Sequence, residues 1–85
     1  MTNIYKNFIE KHINDLTLND IKKFAIKEHE ILTHEEATII HNHIKKYYKE
    51  LLNKNTSSFT LLKLNLRKDL FDKIIKLYNE YQRYL

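Results

Sequence analysis

The chain has 85 residues and a formal net charge of +4, and it contains no cysteine, glycine or proline. This length predicts one domain over residues 1–85, and the missing cysteines exclude disulfides, thiolate metal sites and a cysteine nucleophile. The missing glycine excludes the phosphate-binding loop, the dinucleotide fingerprint and the nucleophile elbow, because the backbone of each requires it. Since both helix breakers are absent, the composition favours an all-α fold.

The first two predicted helices cover about residues 3–14 and 18–29. Apolar residues recur along one side of the first, which is typical of a short amphipathic helix. Before the second, Thr17 and Asp20 form the pattern of a capping box, in which the hydroxyl and the carboxylate each accept a bond from the other residue's amide. The sequence therefore predicts that the second helix begins directly after Thr17.

The third predicted helix, about residues 34–53, begins with the same signal. Thr33 and Glu36 repeat the capping box, and apolar residues follow at helical spacing as far as Leu51. The connection from the second helix is very short, so we expect the two helices to form a tightly linked pair. We also expect Ile31 to fill the gap between them.

Residues 54–58 form the predicted loop, and a long C-terminal helix over about residues 61–84 follows it. From residue 66 onwards the apolar residues recur with a regular helical period. The alternating leucines at 62, 64 and 66 are typical of a strand, so residues 59–65 stay open between helix and extended chain. We prefer helix because a lone strand has no partner in a helical domain. The result is a small four-helix domain.

Positive charge is concentrated in the second part of the chain. Residues 1–36 hold five Lys and seven acids, net −2, whereas residues 37–85 hold ten Lys or Arg and four acids, net +6. Such a surface suits a phosphate backbone. Only two arginines are present, and arginine is the usual reader of guanine, so we expect backbone contacts rather than base recognition. The alternative is a solvated lysine-rich face. The candidate nucleic-acid-binding residues are Lys45, Lys46, Lys49, Lys54, Lys63, Arg67 and Lys68.

The last predicted helix has an unusually broad apolar arc. A helix of this kind usually touches two partners, here the rest of the domain and a second copy of the chain or another protein. Tyrosine is also frequent at interfaces, since it covers much area at little entropic cost. The alternative is core packing with the hydroxyls reaching water. The candidate interface residues are Phe71, Ile75, Tyr78, Tyr81 and Tyr84.

The remaining residue patterns give no catalytic or metal site. The metalloprotease pattern H-E-x-x-H, started by His34, would need histidine where Thr38 stands. His41 and His43 are two residues apart on a helix and point away from each other. We therefore expect no enzyme, cofactor, metal or small-molecule substrate. No apolar run approaches the ~18 residues of a membrane span, and the N-terminus lacks the apolar core of a signal peptide. We expect a cytoplasmic location and no membrane partner.

Three short patterns in the first half of the chain are Ile13-Asn14-Asp15-Leu16-Thr17, Ile31-Leu32-Thr33 with Glu35 and Ala37, and Ile40. Through these residues, the part from Phe8 to Ile44 resembles a family of small uncharacterised all-helical proteins from low-GC bacteria. The resemblance implies a helical fold, but it gives no residue a role because that family has no assigned activity.

Two functional hypotheses follow. The first is a non-enzymatic protein-interaction module, with a homodimer through the last helix as one form of it. The second is a sequence-nonspecific nucleic-acid-binding accessory protein that uses the basic C-terminal part. For the second, we expect substitution of Lys45, Lys49 and Arg67 to weaken binding without unfolding the domain.

Overall fold

The computed structural model describes residues 10–81, and the side chains of residues 10–80. Within that part the chain forms five helices and no strand, which confirms the all-α fold. Helices α2 and α3 pack closely together, as predicted. The predicted helical residues 3–9 and 82–84 lie outside the described part. The helices are α1 (described over residues 10–14), α2 (Leu18–Lys27), α3 (His34–Leu52), α4 (Phe59–Asn65) and α5 (Lys68–Tyr81).

Both predicted capping boxes are present at the starts of α2 and α3. The Thr17 hydroxyl accepts the amide of Asp20 at 3.1 Å, and the Asp20 carboxylate accepts the amide of Thr17 at 3.0 Å. Thr33 and Glu36 make the same two bonds, each at 3.0 Å. The cap amides stabilise the ionised carboxylates and lower the pKa of both Asp20 and Glu36. The starts of the two helices are therefore fixed by local chemistry.

The ends of α2 and α3 have left-handed backbone geometry without glycine. His29 has φ 64° and Lys54 has φ 62°. After α2, the amide of His29 donates to Ile26 at 3.0 Å and that of Glu30 donates to Ala25 at 2.8 Å. These two bonds define the Schellman motif, and the same pair closes α3. Glycine usually takes this position because it has no Cβ, so a histidine and a lysine hold strained conformations here.

The helix predicted over 61–84 is divided into two helices, and residues 59–65 are helical. Helix α4 ends at Asn65, whose side-chain amide donates to the carbonyl of Leu61 at 2.8 Å. Leu66 is extended, with φ −124° and ψ 152°, and still buried. The side-chain bond of Asn65 competes with continuation of the helix. The spacing of the apolar residues did not reveal the break, because Leu66 is buried in the bent chain and would also face the core in a continuous helix.

The hydrophobic core is centred on the short helix α4. Its buried residues Phe59 and Leu62 form one cluster with Leu66 and Leu70. The residues that surround this cluster come from the α2–α3 connection, α3 and α5: Leu32, Ile39, Ile40, Leu51, Phe71, Ile74, Ile75 and Tyr78.

The α2–α3 connection contributes a different residue to the core than expected. The prediction that Ile31 fills the gap between α2 and α3 is wrong, because its side chain is 84% exposed. Leu32, the next residue, packs against the core instead. Ala37 on α3 and Ile21 on α2 are both buried. None of the described helices has the length and apolar character needed to cross a membrane.

Candidate protein-interaction surface

A shallow groove of about 270 Å³ lies between α3 and α4. The α3 residues that line it are spaced by one, three or four positions, so they share one side of that helix. The α4 residues come from the two turns that face this stripe. The groove is lined by Ile39, Asn42, His43, Lys46 and Tyr47 of α3, and by Leu61, Leu62 and Asn65 of α4.

Two leucines beside this groove are exposed. Leu61, at its edge, is 48% exposed, and Leu64, one turn further along α4, is 78% exposed. At 100° per residue, Leu64 lies on the side of α4 opposite the buried Phe59 and Leu62. Burying a leucine side chain is worth about 1.5–3 kcal/mol. The groove residues together with Leu64 are called the α3–α4 face below.

The wall of the groove is held by a buried histidine. His43 is 8% exposed, and its Nε2 lies 3.2 Å from the hydroxyl of Ser58, which is also buried. Its ring lies 4.8 Å from the ring of Tyr47 and stacks at 6.1 Å on Phe59. Burial lowers the pKa of His43, so its imidazole is neutral at pH 7. These contacts fix the shape of the groove.

The charge of the groove is positive. Among the described residues that line it, Lys46 is the one with a formal charge at neutral pH. Its ammonium lies 5.4 Å from the centroid of the Tyr47 ring. Asn42 and Asn65 add amide groups that can both donate and accept. The face therefore offers apolar contact with a cationic rim.

Two of the seven candidate nucleic-acid-binding residues are engaged within the fold. The ammonium of Lys45 donates to the carbonyl of Asn14 at 2.7 Å, where α1 ends, and Arg67 is bound to three carboxylates. Lys63 follows Leu61 by two residues, so it lies on the other side of α4 from the groove. The five candidates left exposed are Lys46, Lys49, Lys54, Lys63 and Lys68.

Arg67 lies at the centre of an ion-pair cluster that joins three parts of the chain. Its guanidinium nitrogens lie 2.8 Å from Glu30, 2.8 Å from Glu36 and 2.7 Å from Asp69. Lys73 adds a contact to Glu30 at 3.6 Å. The bond to Glu36 is the main reason why the pKa of Arg67 is raised. The cluster holds the start of α5 against the α2–α3 connection.

Three of the candidate interface residues on the last helix, Phe71, Ile75 and Tyr78, pack within the chain. Phe71 and Ile75 lie against the core, and Phe71 meets the ring of Phe59 edge-on at 6.5 Å. The Tyr78 hydroxyl donates to the carbonyl of Leu51 at 2.6 Å, and burial raises the pKa of that phenol. The described part of this apolar arc touches α3 and α4 of the same chain. The side chain of Tyr81 and all of Tyr84 lie outside the described residues.

A second crevice, of about 530 Å³, separates the end of α2 from α5. Side chains of both charge signs line it, which is typical of a solvated surface. Within residues 10–81, no group of three or more His, Asp or Glu is placed to hold a metal ion. The crevice is lined by Glu28, His29, Asp72, Lys73, Lys76, Leu77 and Glu80.

No family model matches this chain, and no curated protein or solved structure is significantly similar to it. The resemblance over Phe8 to Ile44 therefore stays a prediction.

Proposed function

We propose that this chain is a non-enzymatic protein-interaction module that binds a protein partner on the α3–α4 face. The observation that carries the proposal is the exposure of Leu61, which lines the groove, and of Leu64, which neighbours Leu61 on the surface of α4 at i+3. Exposed apolar patches with a polar rim are typical of interaction sites. Ile31 is similarly exposed, but it lies in the α2–α3 connection and lines neither the groove between α3 and α4 nor the crevice between α2 and α5. It is therefore a matched control for experiments at Leu64.

The charge of this face favours a different protein over a second copy of the chain. The charged residue of the described groove lining is Lys46. An isologous dimer would place the same patch of both copies in contact and bring the two Lys46 ammonium groups close together. Like charges that meet across an interface disfavour association. Binding of a second copy of the chain to this face is therefore less favoured than binding of a different protein.

The second candidate function is sequence-nonspecific binding to a nucleic-acid backbone. Its support is the five candidate lysines that are exposed in the basic part of the chain. Binding of this kind weakens steeply with salt. Lys45 and Arg67 are unsuitable for testing it, because both hold the fold together. The suitable variant changes Lys49, Lys54 and Lys63 to glutamine.

A photocrosslinking experiment tests the main proposal. A photoreactive amino acid is placed at position 64 in cells that naturally make the protein, and at position 31 as the control. Support is an adduct with one defined protein from position 64 alone, which forms again when that protein is purified and mixed with the chain. Absence of an adduct from position 64, or equal adducts from position 31, would overturn the proposal.

Light scattering then separates the alternatives. The solution mass is measured at low and high salt, with and without a short DNA duplex. A dimer that Leu64→Asp dissociates would assign the face to self-association. A shift on DNA at low salt, lost in the triple lysine variant and kept in Leu64→Ala, would support the nucleic-acid candidate.

A further inference from the structure

The shape of the α3–α4 face suits a helix better than an extended strand. Along α3 the groove runs from Ile39 to Tyr47, which is about 12 Å at 1.5 Å per residue. This length matches the contacts that a helix makes with residues at i, i+4 and i+7. An extended peptide gains its affinity by pairing with a sheet edge, and residues 10–81 contain no strand. A helix needs no such edge because it satisfies its own backbone.

The charge of the face selects an acidic segment. Lys46 is the charged residue of the described groove lining, and the neutral His43 adds no charge. A carboxylate beside the apolar stripe of a bound helix would reach the Lys46 ammonium. A phosphate backbone offers the same charge, but it gives Leu61 and Leu64 nothing apolar to contact. The face therefore fits a ligand that is both acidic and apolar.

We infer that the docking segment of the partner is an amphipathic helix with acidic residues beside its apolar stripe. This inference rests on the proposed function, because it names the chemistry of what binds on the α3–α4 face. Leu61 and Leu64 supply the apolar contact, and Lys46 fixes the orientation of the helix by pairing with one side of it. The partner is thus defined by its chemistry.

Three labelled peptides of equal length test the inference by fluorescence anisotropy at low salt. The first has leucines at i, i+4, i+7 and i+11, two glutamates beside this stripe and alanines elsewhere, over about 18 residues, so that a helix can form in water. The second has lysine in place of every glutamate. The third has the composition of the first in scrambled order. We expect the first to bind at least about tenfold more tightly than the other two, a difference of about 1.4 kcal/mol.

Two pairs of protein variants locate the binding site. Leu64→Ala should weaken binding of the acidic peptide about tenfold, since it removes three carbon atoms from the contact, whereas Ile31→Ala should leave binding unchanged. Lys46→Glu should weaken binding about fivefold. Lys63→Glu makes the same change in net charge on the other side of α4, so its effect should stay within about twofold. Circular dichroism checks that each variant is folded.

Several results would overturn the inference. Equal binding of the scrambled peptide, or equal loss in Lys46→Glu and Lys63→Glu, would mean that net charge alone attracts the peptide. Absence of binding at protein concentrations up to about 1 mM would exclude the acidic helix. If adducts still form from position 64, the docking surface stands and its partner has a different chemistry. If those adducts are also absent, the proposed function itself fails.

Discussion

Glycine at the two left-handed helix ends should make this protein more stable. His29 and Lys54 hold positive φ in Schellman motifs, in a chain that contains no glycine. An L-residue in this conformation costs roughly 1–2 kcal/mol, because its Cβ crowds the following carbonyl oxygen. Glycine removes that crowding, but it gains about 0.5–1 kcal/mol of conformational freedom in the unfolded chain. The net gain expected from His29→Gly or Lys54→Gly is about 0.5–1 kcal/mol each.

The two gains should add, since the motifs close different helices and share no hydrogen bond. The double variant is then about 1–2 kcal/mol more stable. For a domain of this size, each 1 kcal/mol raises Tm by roughly 4–8 °C. Urea unfolding followed by circular dichroism measures the free energy directly, and an unchanged m-value would show that only stability has changed.

Two controls make this prediction sharp. His29→Ala and Lys54→Ala keep the Cβ, so their stability should stay close to that of the natural chain. Lys23→Gly, on the exposed side of α2, should lower stability by about 1 kcal/mol. Lys23 lies inside a helix, so glycine there has no left-handed strain to remove and only increases the freedom of the unfolded chain. If the glycine variants at the helix ends are no more stable than the alanine variants, His29 and Lys54 hold no backbone strain that glycine can release, and the prediction is wrong.

Three further changes have expected outcomes. Burial lowers the pKa of His43, so the histidine takes up its proton in the unfolded chain before it does so in the folded chain as the pH falls below about 6.5. The contribution of His43 to the free energy of unfolding is therefore fully present above that pH. Below it, this contribution is lost by at most about 1.4 kcal/mol per pH unit. His43→Gln should flatten this slope in urea titrations. Tyr78→Phe should cost about 1 kcal/mol, because the Leu51 carbonyl loses its hydroxyl donor; equal urea midpoints would contradict this. Arg67→Lys should lower the urea midpoint at low salt, since one ammonium cannot hold three carboxylates in the same geometry, and the difference should shrink in about 1 M salt. A midpoint difference that ignores salt would argue against an electrostatic role.

The helix starts could be predicted because four consecutive residues contain all the chemistry that decides them. Thr17 to Asp20 and Thr33 to Glu36 form the same reciprocal bonds whatever packs around them. The break after Asn65 could not be predicted in this way. Leu62, Leu66 and Leu70 keep helical spacing across it, and all three are buried in the bent chain.

The candidate surface was less predictable because it depends on contacts between distant residues. Arg67 pairs with Glu30 across 37 positions, and Lys45 pairs with Asn14 across 31. No local pattern shows that these cations are engaged. The alternating leucines did show that α4 is apolar on more than one side. Which side meets the core and which leaves Leu64 exposed is decided only when α3 and α5 pack against it.

The short helix α4 also has a consequence for the dynamics of the protein. Its seven residues are too few to form a stable helix alone, yet they supply the centre of the core. We therefore expect its backbone amides to exchange with deuterium only when the whole domain unfolds. The wall of the groove that α4 forms then opens only when the whole domain unfolds. A bound partner would gain its affinity without having to order that wall, and it would delay exchange throughout the molecule.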